Sequence, residues 1–148
     1  GLMVGSPWQT MANLLEDLAF IRELQPQMIG IGPFIPHHAT PLKNYPAGTL
    51  EQTLTLLSVL RLMFPKVLLP ATTALGTIVP NGRELGILAG ANVVMPNLSP
   101  ADVRQNYLLY DNKLCSGAEA AEAKNDLAAR LHSIGYEIAE GRGDYKES

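Results

Sequence analysis

The sequence predicts an α/β fold of about four successive βα units, the content of half a (β/α)8 TIM-type barrel, and three observations predict it. Short apolar runs begin near residues 2, 28, 67 and 92, the spacing of successive βα units. Between them lie segments whose apolar residues recur at helical spacing. Two consecutive strand ends, Pro70-Ala71-Thr72-Thr73-Ala74-Leu75-Gly76-Thr77 and Gly90-Ala91-Asn92-Val93-Val94-Met95-Pro96-Asn97, run into loops dense in small and polar side chains, as at the active-site face of an α/β barrel. An entire barrel needs about 250 residues. The 148 residues here should therefore leave two raw sheet edges unless the chain closes by self-association. A complete small doubly wound sheet is the alternative.

Taken in order, Leu2-Met3-Val4 is an apolar run stopped by Gly5 and Pro7. Thr10 then caps a helix whose apolar positions are Leu14, Leu15, Leu18 and Ile21. Met28-Ile29-Gly30-Ile31 makes the second strand. The long loop from Gly32 to Gly48, with Pro33, Pro36, Pro41 and Pro46, has the length of a functional loop. Thr49 with Gln52 matches a capping box, and Leu50, Leu54, Leu57 and Leu60 give the helix that follows an apolar face up to Pro65. Val67-Leu68-Leu69 is the third strand, Gly82 to Leu88 a short helix, and Asn92-Val93-Val94-Met95 the fourth strand. Ser99-Pro100 has the chemistry of a helix start. Glu119 to Ile134, with Leu127, Leu131 and Ile134 on one face and Gly135 just beyond, is the terminal helix, so residues 118–148 form a C-terminal helix and tail within a single unit spanning 1–148.

Composition narrows the function classes. A net charge of -3 and a pI near 5.6, with Lys and Arg scattered, supply no basic field for nucleic acid. The longest apolar runs, such as Leu54 to Leu60, fall far short of the roughly 20 residues that span a bilayer, and no signal-peptide pattern opens the chain. A soluble, cytoplasmic protein is expected. The lone Cys115 permits no internal disulfide and cannot by itself hold zinc or an iron–sulfur cluster. Gly1 in place of an initiator Met suggests a processed fragment.

Several side chains could carry chemistry. Thr72, Thr73 and Thr77 follow the third strand, where hydroxyls and backbone N–H groups could bind an anionic ligand without adding formal charge; packing and turn capping are the plainer reading. Met95 ends the fourth strand, where a thioether is core or packs against a flat ring. His37-His38, in a loop with Phe34, invites a metal hypothesis, but adjacent imidazoles diverge in most backbones and no carboxylate is suitably spaced, so loop structure is preferred. His132 falls on the exposed side of the terminal helix. Arg83-Glu84 reads as an ion pair or helix-end charge arrangement, with a structural role favoured for Glu84. Tyr107 and Tyr110 share a helix face, as core or as a cover over a ligand. No dinucleotide fingerprint, P-loop or nucleophile elbow occurs.

Together, Gly1-Leu2-Met3-Val4-Gly5, Gly30-Ile31-Gly32-Pro33-Phe34-Ile35-Pro36-His37, Pro70-Ala71-Thr72-Thr73-Ala74-Leu75-Gly76-Thr77 and Gly90-Ala91-Asn92-Val93-Val94-Met95-Pro96-Asn97 resemble the HydE family of radical S-adenosylmethionine (SAM) enzymes, the FeFe-hydrogenase maturases. The resemblance covers nearly the whole chain and corresponds to the C-terminal half of that barrel. Gly-Ala-Asn also occurs in the wider biotin synthase group, whereas Pro-Ala-Thr-Thr-Ala and Met-Pro-Asn favour HydE over biotin synthase or methylornithine synthase.

The resemblance implies an enzyme whose 4Fe-4S cluster reductively cleaves SAM to a 5′-deoxyadenosyl radical. Its substrate would be an organometallic iron species carrying cysteine, carbonyl and cyanide, and its partners other hydrogenase maturation proteins. It also implies that Met95 and Tyr107 help shape the SAM pocket, while Met28, Thr72, Thr73 and Tyr110 line the substrate cavity. The family's Cys-x-x-x-Cys-x-x-Cys motif is absent, so this polypeptide alone is expected to hold no cofactor and to be inactive. Of the three cysteines that hold an auxiliary cluster in some members, Cys115 matches one and Ala123 and Asp126 replace the others, so no auxiliary cluster is expected. The competing readings are another biotin-synthase-like enzyme, and a non-catalytic binding module lacking the cluster half.

Overall fold

The computed structural model describes residues 1–95 and 120–146. The elements run β1 (Leu2–Val4), α1 (Met11–Leu24), β2 (Ile31–Pro33), α2 (Leu50–Met63), β3 (Pro70–Ala71), α3 (Thr73–Ile78), α4 (Gly82–Leu88), β4 (Val93–Val94) and α5 (Ala120–Ser133). The expected helix start at Ser99-Pro100, together with Tyr107, Tyr110 and Cys115, lies outside the described residues.

Among the described residues the strand pairings are parallel and form two two-stranded sheets that lie edge to edge. β1 pairs with β2 (Leu2↔Ile31), an isolated bridge joins Met28 to Leu68, and β3 pairs with β4 (Pro70↔Val93). Among the described residues neighbouring strands are thus consecutive in the chain, with β2 and β3 joined through that single bridge. The helices bury one face of this sheet. Val4, Ile29, Ile31, Val67, Leu69 and Ala71 pack there with Leu14, Ile21, Leu57, Leu60, Leu75, Ile87, Leu127 and Leu131.

Local chemistry accounts for the helix ends. Thr10 and Asn13 form a reciprocal capping box on α1, a pairing the sequence reading did not single out. Thr49 accepts the Gln52 N–H at 3.2 Å, one half of the capping box expected for α2. Thr53, wholly buried on that helix, returns its hydroxyl to the Thr49 carbonyl at 2.8 Å. Gly135 (φ 82) ends α5 in a Schellman motif, with Tyr136 N–H donating to the Leu131 carbonyl and Gly135 N–H to that of His132.

Some expectations are corrected. The ladders of β2 and β3 begin later than their apolar runs: Met28 and Leu68 make an isolated bridge, and the Leu69 N–H goes to the Asn92 side chain instead of a strand carbonyl. Thr73–Ile78 is a helix, not a loop: the first residues after β3 close i to i+4 bonds such as Val79 N–H to the Leu75 carbonyl. Leu15 is 60% exposed, since it lies off the stripe that buries Leu14 and Ile21.

Candidate functional site

Side chains alternate across a strand, so burial of Ile29, Ile31 and Pro33, of Val67, Leu69 and Ala71, and of Val4 against the helices turns the intervening residues to the opposite face of the sheet. On that face the register builds rows. Met28 and Leu68 form the lowest row, Gly30, Pro70 and Val93 the next, and Met3, Gly32, Thr72 and Met95 the uppermost, at the C-terminal strand ends. A Cβ at Gly32 would fall 2.7 Å from Thr72 Oγ1, consistent with the Met28↔Leu68 register carried four residues further. Met3, Met28 and Met95 are each about half exposed, at 54%, 48% and 53%. This thioether-rich sheet face, half exposed at its methionines and buried at Pro70, is the candidate site.

Asn92 helps hold its far edge. Its N–H donates to the Leu69 carbonyl at 2.9 Å while its Oδ1 accepts the Leu69 N–H at 2.8 Å, so the side chain closes the ladder where β4 begins. Gly90, at φ 115, keeps clear of Arg61, whose Cβ would lie 2.7 Å from an added Cβ. Arg61 in turn donates to the Gly90 carbonyl at 2.8 Å and to those of Phe64 and Pro65, and desolvation lowers its pKa from the ordinary guanidinium value.

The threonines are used differently. Thr72 Oγ1 is buried and has no hydrogen-bond partner, although Thr72 occupies the N-cap position of α3. Thr73 Oγ1 accepts from Arg83 Nη2 at 3.2 Å, and Thr77 donates to the Thr73 carbonyl at 3.1 Å. Arg83 and Glu84 do not pair with each other. Glu84 is buried and bound in bidentate fashion by Arg130 of α5, with Nη2 to Oε2 at 2.9 Å and Nε to Oε1. A structural role for Glu84 is what the geometry supports.

Of the anticipated site residues, Met28 and Met95 line one cleft of about 720 Å³ together with Leu68, Asn92, Val93, Leu131 and the tail residues Tyr136 to Asp144. Thr72 and Thr73 are not among its lining residues. Met3, Gly30 and the tail were missed by sequence reading; alternation within Leu2-Met3-Val4 was the available signal for Met3. At the loop rim, Trp8 holds φ 65, is 75% exposed and meets Tyr45 edge to face at 5.1 Å. The His37 and His38 rings stack at 4.3 Å instead of diverging, because the His37 Nδ1 takes the Ala39 N–H and brings the turn back on itself. Among the described residues no group of three His, Cys, Asp or Glu is placed to hold a metal, and no helix is long and apolar enough to cross a membrane.

Comparison with known proteins finds relatives over most of the chain. The chain is 50% identical over 115 residues, 78% of its length, to the FeFe hydrogenase maturase subunit HydE of Thermotoga maritima. The chain is related to HydE across most of its length. Two 3-methylornithine synthases match at lower identity, 38% over 60% of the chain for that of Methanosarcina barkeri and 29% over 86% for that of Methanosarcina acetivorans. The order of these identities agrees with the motif-level preference for HydE. The chain spans 33% of the HydE relative's length and 25% and 35% of the two synthases'. No protein-family model matches the chain.

Proposed function

We propose that this chain is the C-terminal half-barrel of a HydE-like radical SAM enzyme of FeFe-hydrogenase active-site (H-cluster) assembly, and that its open sheet face walls the substrate cavity and part of the SAM site. The observation that carries the reading is 50% identity to HydE over 78% of the chain. The consecutive parallel strands, with loops following β1 and β2 and half-exposed methionines on the face away from the helices, support it physically.

The iron–sulfur cluster does not fit this chain's own residues: it has one cysteine, and the described residues include no metal-binding group. Its ligands would belong to the remainder of the enzyme. SAM fits better, because the half-exposed Met95 thioether at the top of β4 offers a polarisable surface to an adenine ring. Bound SAM supplies the reactive adenosyl group. This chain's residues bind and orient: Met28 and Met95 present soft apolar contact, Thr72 an uncommitted hydroxyl, and Thr73 a hydroxyl fixed by Arg83.

The test is the complete reading frame, reconstituted anaerobically with iron and sulfide. Formation of 5′-deoxyadenosine from SAM, stimulated by a synthetic iron complex of cysteine, carbonyl and cyanide, is the expected result. The relation to the synthases supports a second reading, a methylornithine synthase type of enzyme, for which 3-methylornithine would appear instead. A clustered protein that leaves SAM intact would sink both in favour of a binding module.

A further inference from the structure

We propose that Gly30 is the floor of the substrate cavity, a specificity-determining position kept free of a side chain so that the substrate can occupy the space above it. The inference rests on the reading above. Gly30 lies between Ile29 and Ile31, each 1% exposed and packed against the helices, so alternation aims its missing side chain at the open face. Gly30 directly precedes β2, in extended chain between the Met28 bridge and the ladder; a glycine there loses more conformational freedom on folding than any other residue and offers nothing to pack, so it calls for a reason.

The two reasons usually available are missing at this residue. Gly30 is not among the residues with positive φ, so its backbone suits any amino acid. A Cβ built on it meets nothing within 4 Å, whereas one on Gly32 would meet Thr72 Oγ1 at 2.7 Å. Gly32 is therefore explained by a protein neighbour and Gly30 is not. Its neighbours on the face are Gly1, Met28, Leu68, the fully buried Pro70 and Val93, none with a charged side chain, and one row above lies the buried, unpartnered hydroxyl of Thr72. An uncharged floor beside a single hydroxyl fits the compact carbonyl-bearing end of an organometallic substrate and disfavours a carboxylate, which would be desolvated there without a counter-charge.

The experiment uses the complete reconstituted enzyme with Gly30→Ala and Gly30→Val, and the iron complex of cysteine, carbonyl and cyanide as probe. Calorimetric titration gives Kd, steady-state 5′-deoxyadenosine formation gives KM, and thermal unfolding gives Tm. The expected result is a graded rise in Kd and KM, a few-fold for Ala and about tenfold for Val, with Tm equal to or above that of the unsubstituted enzyme. Unchanged Kd and KM in Gly30→Val would overturn the proposal. So would a Tm lowered by several degrees in both variants, which would mean that the space is filled by packing from the rest of the barrel. If the unsubstituted enzyme does not cleave SAM, the function reading fails and takes this inference with it; an active enzyme indifferent to Val removes the inference alone.

Discussion

Thr72 places a buried oxygen where no protein group answers it. Replacing it by Val removes a polar atom that the fold does not satisfy, so urea unfolding of this chain should show stability unchanged or raised by up to ~1 kcal/mol. In the complete enzyme the same change should weaken binding of the iron complex. Asn92 behaves in the opposite sense. Asn92→Ala leaves the Leu69 N–H without its side-chain acceptor and should cost about 1–3 kcal/mol in the same unfolding measurement. The sequence displayed both residues at strand ends but could not assign these roles. An amide that substitutes for a strand partner depends on where β3 and β4 meet, and an orphaned hydroxyl depends on everything around it.

At the scale of elements, the terminal helix is held by an ion pair across 46 residues of sequence. Glu84 is buried and Arg130 partly exposed, so Glu84→Ala removes the carboxylate and leaves Leu127 and Leu131 as the main attachment of α5. Hydrogen exchange within 124–133 should speed up before that of α2 does, with a loss of stability of roughly 1–2 kcal/mol. Caps and stops were legible because they are local: Thr10, Thr49 and Gly135 act within a few residues of themselves. The Glu84 partner was not, since adjacency favoured Arg83, whose side chain turns to Thr73. Helix α3 escaped for the same reason. Its six residues carry no side-chain cap and too few turns to show a period.

For the molecule as a whole, the order of strands was legible from spacing alone, while the face they leave open was not. Spacing cannot show that Met3, Met28 and Met95 emerge on one side; that follows from which alternate residues the helices bury. On the flank, Phe20 and Leu24 are 62% and 59% exposed near β1, which pairs on one side with β2 and has no second strand partner among the described residues. Covering such surface contributes about 25 cal/mol per Å². The isolated chain should therefore sediment as a dimer or larger assembly, and a compact monomer at high concentration would contradict this. The Trp8 rim has a further use. It carries the single indole of this sequence, largely in water and edge-on to Tyr45. Light emitted by this side chain therefore reports on the mouth of the open face without any added label. A ligand that closes the loops should shift that emission to the blue, and one that binds elsewhere should leave its colour alone.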